Sequence, residues 1–159
     1  MKTSDLQFPE GIQARFGKTP DDVALNLADA VAEFLVARLK EVPRASLVVS
    51  GGSTPLPFFK ALSGKPLDWG KVDVLLADER WVDEDNPVSN TRLVRDNLLQ
   101  NHAASARYLS LKQPGATPAE GLDAVKAELA GLVLPLDVLI LEMPIRAFLK
   151  PGLQVFWSP

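Results

Sequence analysis

The stretch that most constrains this chain is Ser46-Leu47-Val48-Val49-Ser50-Gly51-Gly52-Ser53-Thr54-Pro55. A short apolar run ends in two glycines, two hydroxyl residues and a proline, and an amphipathic segment begins at Leu56. That order predicts a strand, a tight turn and a helix start. Glycine lets backbone approach a ligand closely. The hydroxyls of Ser53 and Thr54 and the first free N–H groups of the helix then face one place. Unpaired amides and the helix dipole both favour an anion there, such as a phosphate. No Gly-Lys-Ser/Thr follows, which excludes the Walker pattern, and the third glycine of the dinucleotide fingerprint is missing. A helix cap at a strand–helix corner accounts for the same residues, and this stretch alone leaves both readings open.

The remainder of the chain repeats the strand–helix theme. Residues 1–18 are mixed and predict an irregular or short-strand start. Thr19-Pro20-Asp21-Asp22 is a helix start, with Thr as N-cap, Pro in the first turn and acidic residues near the positive end of the dipole. Val23, Leu27, Val31, Phe34 and Leu35 recur at helical spacing through to about Lys40. Pro55 to Leu62 predicts a short helix closed by Ser63-Gly64, and Trp69 an anchor before the next strand. That strand, Val72 to Ala77, is apolar throughout apart from Asp73. Ser89-Asn90 opens a helix to about Gln100, and Arg107 to Leu111 reads as a strand. After the turn Gln113-Pro114-Gly115, Thr117-Pro118-Ala119-Glu120 predicts a capping box. Its helix runs to about Ala130, with Leu122, Val125 and Leu129 as the apolar face. Leu136 to Leu141 is a further strand, Pro144 to Lys150 a short helical piece, and Leu153 to Trp157 a last strand.

Near-continuous apolar strands alternating with helices predict an α/β fold: a mostly parallel sheet with helices on both faces. The chain has 159 residues, 47% of them apolar, enough for a single α/β domain over residues 1–159 with a real core. No apolar run is long enough to span a bilayer. Met1 to Glu10 lacks a basic-then-apolar signal pattern, so a cytoplasmic protein is expected. The absence of cysteine excludes thiolate catalysis and thiolate zinc sites. The single histidine, His102, excludes a multi-histidine metal site within one chain. A net charge of −3 with no Lys/Arg cluster argues against a nucleic-acid partner, and oligomeric state is not readable.

In open parallel sheets, functional groups gather at the carboxyl ends of strands. Two polar clusters fall there: the Gly51-Gly52 corner and Asp78-Glu79-Arg80-Trp81-Val82-Asp83-Glu84-Asp85-Asn86-Pro87. Arg80 suits phosphate or carboxylate through its planar fork. Asp78 suits orienting a base, binding a substrate hydroxyl or holding Arg80 in place. Glu79, Asp83, Glu84 and Asp85 read as a solvated acidic rim, and a magnesium site there is unspecific. Ser89 is most simply an N-cap with Asn90 just inside the helix, and Trp81 a packing residue.

Taken together, Ser50-Gly51-Gly52-Ser53-Thr54-Pro55, Leu67-Asp68-Trp69, Asp78-Glu79-Arg80-Trp81-Val82 and Ser89-Asn90-Thr91 resemble, in order and spacing, the 6-phosphogluconolactonases. These belong to the glucosamine-6-phosphate isomerase/lactonase group, with a fold like ribose-5-phosphate isomerase A. The likeness covers residues 8–141, and 144–159 resemble the family's C-terminal end. It implies hydrolysis of 6-phosphoglucono-1,5-lactone to 6-phosphogluconate in the oxidative pentose phosphate pathway, without a cofactor or metal. Gly51, Gly52, Ser53 and Thr54 would hold the sugar phosphate with Arg80 and Asn90. Asp78 and Arg80 would line the substrate site as the candidate catalytic residues.

The resemblance breaks after Leu141. The family continues with a Gly-x-Asp-Gly-His-Thr segment whose histidine is taken as the general base. Here Leu141 runs into Glu142-Met143-Pro144, and no Asp-Gly-His occurs in the chain. The sequence resembles a member lacking an internal block, joined near Leu141–Met143. A non-catalytic sugar-phosphate binding module and an inactive remnant are the alternative readings.

Overall fold

Thr19 sets where the first helix begins. Its Oγ1 accepts from Asp22 N at 3.1 Å, and Asp22 Oδ2 accepts from Thr19 N at 3.2 Å, a reciprocal box that satisfies two end donors. The structure, a computed structural model, describes residues 10–142 and the strand at 154–157. In chain order it shows β1 (Gln13–Phe16), α1 (Pro20–Arg38), β2 (Ala45–Val49), α2 (Leu56–Ser63) and β3 (Val72–Leu76). Then come α3 (Asn90–Asn97), β4 (Arg107–Leu109), α4 (Pro118–Leu129), β5 (Val138–Ile140) and β6 (Gln154–Trp157). The helical piece expected over Pro144 to Lys150 lies outside the described residues.

Four strands form one parallel sheet in the order β4-β3-β2-β5. The chain steps outward from β2 to β3 to β4, then returns to place β5 on the other side of β2. The order therefore reverses between β2 and β5, and such a switch point opens a crevice beyond the carboxyl ends of the strands. β6 pairs in parallel with β1, Gln13 beside Gln154 through Phe16 beside Trp157, as a separate two-stranded sheet.

Alternation along each strand gives the two faces of the main sheet different work. Leu47, Val49, Val74 and Leu76 point to the larger core, where Leu35 of α1 and Phe58, Phe59 and Leu62 of α2 are buried. Trp69 closes that core as expected, 1% exposed, with its Nε1 donating to Lys65 O at 2.9 Å. Val48, Leu75 and Leu109 point the other way and pack against Leu129 and Leu132, so both faces are covered. Leu122 does not take part: it is 49% exposed, and α4 rests on the sheet through its end rather than through the whole expected stripe. Its cap also differs from the predicted box. Thr117 accepts from Glu120 N, but the Glu120 carboxylate takes Ala116 N at 2.7 Å instead of the N-cap amide.

On the second face, Asp137, Ser46, Asp73 and Arg107 form a polar row across the amino ends of all four strands. Asp73 is 1% exposed, and its carboxylate takes Nε and Nη2 of both Arg44 and Arg107. Burial pushes the Asp73 carboxyl up, but the hydrogen bonds from Arg44 and Arg107 outweigh it and hold its pKa below the ordinary value. Asp137 does the same for β5. Its Oδ1 accepts from Arg38 Nε at 2.7 Å and its Oδ2 from Ser46 N at 2.9 Å, while its own N–H donates to Ser46 Oγ at 2.9 Å. The outer side of β5 is less protected, with Leu136, Leu139 and Leu141 exposed. Among the described residues, no helix is long and apolar enough to cross a membrane.

Asp73 clamps the edge strand β4 to the entry of β2, so Asp73→Asn is expected to destabilise the chain by about 1–3 kcal/mol. The partly exposed arginines can turn to solvent, which keeps the loss below that of a fully buried pair. Urea unfolding of the two proteins under one buffer checks this, and coincident midpoints would show that the clamp is not needed.

Candidate functional site

The corner after β2 is built by backbone and shaped by a neighbour. Ala77 N donates to Val49 O at 2.8 Å, which carries the β2–β3 pairing to the end of the strands. Gly51 then has room for hydrogen only: a Cβ placed on it would lie 2.1 Å from Oδ1 of Asn90. Gly52 follows at φ +95°, a conformation open to glycine and strained for other residues. The corner hydroxyls are not helix caps. Pro55 occupies the N-cap of α2 with no side-chain bond, so the helix begins at Leu56, one residue later than expected. Ser50 Oγ donates instead to Ile140 O at 2.9 Å, and Thr54 Oγ1 to Glu142 Oε1 at 2.8 Å. Both bonds cross the switch point from the end of β2 to the end of β5.

The second cluster follows β3, and one carboxylate organises it. Glu79 accepts from Arg80 N at 2.8 Å, Asn90 N at 2.8 Å and Thr91 N at 2.7 Å, with Ser89 Oγ at 3.3 Å. Burial pushes its carboxyl up, yet hydrogen bonds from Thr91, Asn90 and Arg80 prevail and hold its pKa below the ordinary value. Sequence reasoning placed Glu79 on a solvated rim. The correction has a plain cause: the first turn of α3 presents free N–H groups, and a carboxylate arriving from β3 satisfies them. Ser89 is the N-cap expected, accepting from Arg92 N at 3.2 Å. Glu84 is also no rim residue, since it accepts from Ser110 Oγ at 2.9 Å and pairs with Arg95 at 3.2 Å. Asp83 and Asp85 are exposed, as a rim requires. Below them Tyr108 shares a hydrogen bond with Thr91 Oγ1 at 2.8 Å, and burial above all pushes its phenol up to about 12.

The two clusters meet at Asn90. Its side chain is buried, lies against Gly51 and donates through Nδ2 to Asp78 O at 3.2 Å. Gly51, Asn90 and Asp78 are thus linked by one continuous chain of contacts, with the Asn90 side chain beneath the surface. Arg80 is exposed and its Nη1 donates to Val88 O at 2.8 Å, closing the loop on itself. Among the described residues no bond links Arg80 with the Asp78 carboxylate, and neither side chain bonds to Gly51–Thr54. Ser53 and Thr54 are exposed at the corner. Trp81 packs as expected: its ring fills the space beside Gly121, and its Nε1 donates to Gly115 O at 2.9 Å.

His102 sits in the turn Asn101–Ser105 that precedes β4. All four strands run parallel, so this turn lies at their amino ends, across the sheet from the corner. Glu142, which sequence reasoning gave no role, stands at the corner itself. The signal that singled out Asp78, a charged residue just past a buried strand, applied to Glu142 equally. Among the described residues no three His, Asp or Glu side chains gather as a metal site would need. The surface offers hydroxyls, glycine amides and a guanidinium, groups that suit an anion carrying neighbouring hydroxyls.

Gly51→Ala is expected to cost about 1–3 kcal/mol, since its methyl displaces Asn90. Asn90→Ala in the same chain should recover part of that loss, giving a coupling of at least about 0.5 kcal/mol, and strict additivity would mean that the contact is not the cause. Glu79→Gln should destabilise by about 1–3 kcal/mol by weakening its hold on three N–H groups. The depressed pKa makes Glu79 stabilising above its ordinary 4.5, and that stability is lost as pH falls through the lower folded value. Acid unfolding curves should therefore be flatter for the glutamine variant in that window.

Comparison with known proteins matches residues 18–143 to the family described as glucosamine-6-phosphate isomerases/6-phosphogluconolactonase. A 6-phosphogluconolactonase of Pseudomonas aeruginosa is 44% identical over 143 residues, taking in 90% of this chain and 60% of that protein. One from Rhizobium meliloti is 46% identical over 126 residues, 79% of this chain and 54% of that protein. The crystal structure of a 6-phosphogluconolactonase from Shewanella baltica superposes with a TM-score of 0.77 at 42% identity, covering 81% of this chain and 56% of that one. The chain thus spans little more than half the length of these relatives. The match runs through every element from α1 to β5, and by it this chain belongs to the glucosamine-6-phosphate isomerase/6-phosphogluconolactonase family.

Proposed function

We propose that this chain serves the hydrolysis of 6-phosphoglucono-1,5-lactone to 6-phosphogluconate, the oxidative pentose phosphate step for which its relatives are named. The observation that carries the reading is the meeting of the Gly51-Gly52 corner with Asn90 at the switch point of the sheet. In this reading Gly51, Gly52, Ser53 and Thr54 hold the phosphate through amides and hydroxyls. Arg80 supplies a charged fork to the anion, and Asn90 fixes the surface between the two clusters. Asp78 binds a sugar hydroxyl or orients water. Residues 1–159 act as one α/β unit, and the protein works in the cytoplasm on a sugar-phosphate lactone, with no nucleic-acid partner.

Lactone opening needs an activated water and donors for the developing oxyanion. The histidine of the family's Gly-x-Asp-Gly-His-Thr segment has no counterpart in this sequence, and His102 lies at the wrong end of the sheet. What these residues contribute is therefore binding and orientation. The expected result in a stopped assay is a saturable acceleration over spontaneous hydrolysis. It should fall about 10²- to 10⁴-fold below a relative that carries the histidine segment. Arg80→Ala should weaken 6-phosphogluconate binding by about tenfold. A rate equal to the spontaneous one, together with no uptake of 6-phosphogluconate, would overturn the reading.

A further inference from the structure

Glu142 stands just past the carboxyl end of β5, at the switch point of the sheet. It follows β5 by two residues, and Ser50 Oγ, donating to Ile140 O at 2.9 Å, fixes the strand end just before it. From there its carboxylate reaches the glycine corner. Oε1 accepts from Thr54 Oγ1 at 2.8 Å, and Oε2 lies 3.8 Å from the place a Cβ on Gly52 would take. One oxygen thus takes the hydroxyl proton, and the other borders the space beside Gly52 at van der Waals distance. A phosphate set on the corner needs that same proton and that same space.

We infer that Glu142 is an intramolecular anion that holds the Gly51–Thr54 corner closed, so that a phosphate monoester binds only by displacing it. The inference rests on the phosphate reading of the corner. Two anions do not share one donor set. A dianionic phosphate within about 4 Å of an ionised carboxylate loses about tenfold or more in affinity, even at surface dielectric. Displacement is within reach because Glu142 is exposed, and its carboxylate has water to turn into.

Calorimetric titration of 6-phosphogluconate and of unphosphorylated gluconate into the wild-type chain, Glu142→Gln and Glu142→Ala tests this. Glutamine keeps the shape and removes the charge, whereas alanine removes both. Thermal unfolding of each protein establishes that it is folded. The expected outcome is binding of 6-phosphogluconate about tenfold tighter in both variants, with no gain for gluconate. Equal, measurable affinities for 6-phosphogluconate in all three proteins would overturn the inference alone, as would an equal gain for gluconate. If 6-phosphogluconate binds none of the three, the phosphate reading of the corner falls and takes the inference with it.

Discussion

The pairing of β5 with β2 is the constraint on which the site depends. β5 is only three residues long, and three ladder pairs are little to hold a strand. Side chains fasten it at both ends. Asp137 ties its entry to Arg38 and Ser46, and Ser50 ties its exit through Ile140 O. Without that pairing β2 is an edge strand, the order of the sheet does not reverse, and no crevice forms beside Gly51. The hydrogen bonds that fix β5 are thus the same ones that set the shape of the sheet beside Gly51.

The sheet divides its polar groups between its two ends. Asp137, Ser46, Asp73 and Arg107 cross the amino ends as a row, closed by Arg38 and Arg44. That row is fully partnered and reads as structure. The carboxyl ends carry polar groups that face solvent: Ser53, Thr54, Asp78 and Arg80. Glu79 is the exception that joins the two roles. It is a charged residue at the chemical end, but its oxygens are taken by backbone N–H groups of Arg80 and of the first turn of α3. It works by setting Asn90, and through Asn90 it sets the glycine corner.

Much of the fold was legible because local signals agreed with the burial they had to produce. The Thr19-Pro20-Asp21-Asp22 start, the apolar runs of β2 and β3, and the Ser89 cap each named its element within a residue or two. What sequence reasoning missed were contacts between distant segments. Asp73 looked like an interruption in a strand, because its partners Arg44 and Arg107 come together only once three strands are in register. Glu79 looked solvated, because the N–H groups that claim it lie eleven and twelve positions on. Leu122 kept helical spacing yet stays exposed, since only the end of α4 reaches the sheet. For the site, the residue types and their order were legible, while the touching of Gly51 and Asn90 and the intrusion of Glu142 were not.

That contact between Gly51 and Asn90 has a consequence for how such a site can change. A side chain at 51 is refused only because the amide of residue 90 already fills the space. The constraint runs one way: position 51 cannot take a side chain while Asn90 stays, whereas residue 90 can change with glycine still at 51. A larger residue at 51 therefore requires a change at 90 as well. The step through residue 90 has to come first, because it opens the room into which a side chain at 51 can grow.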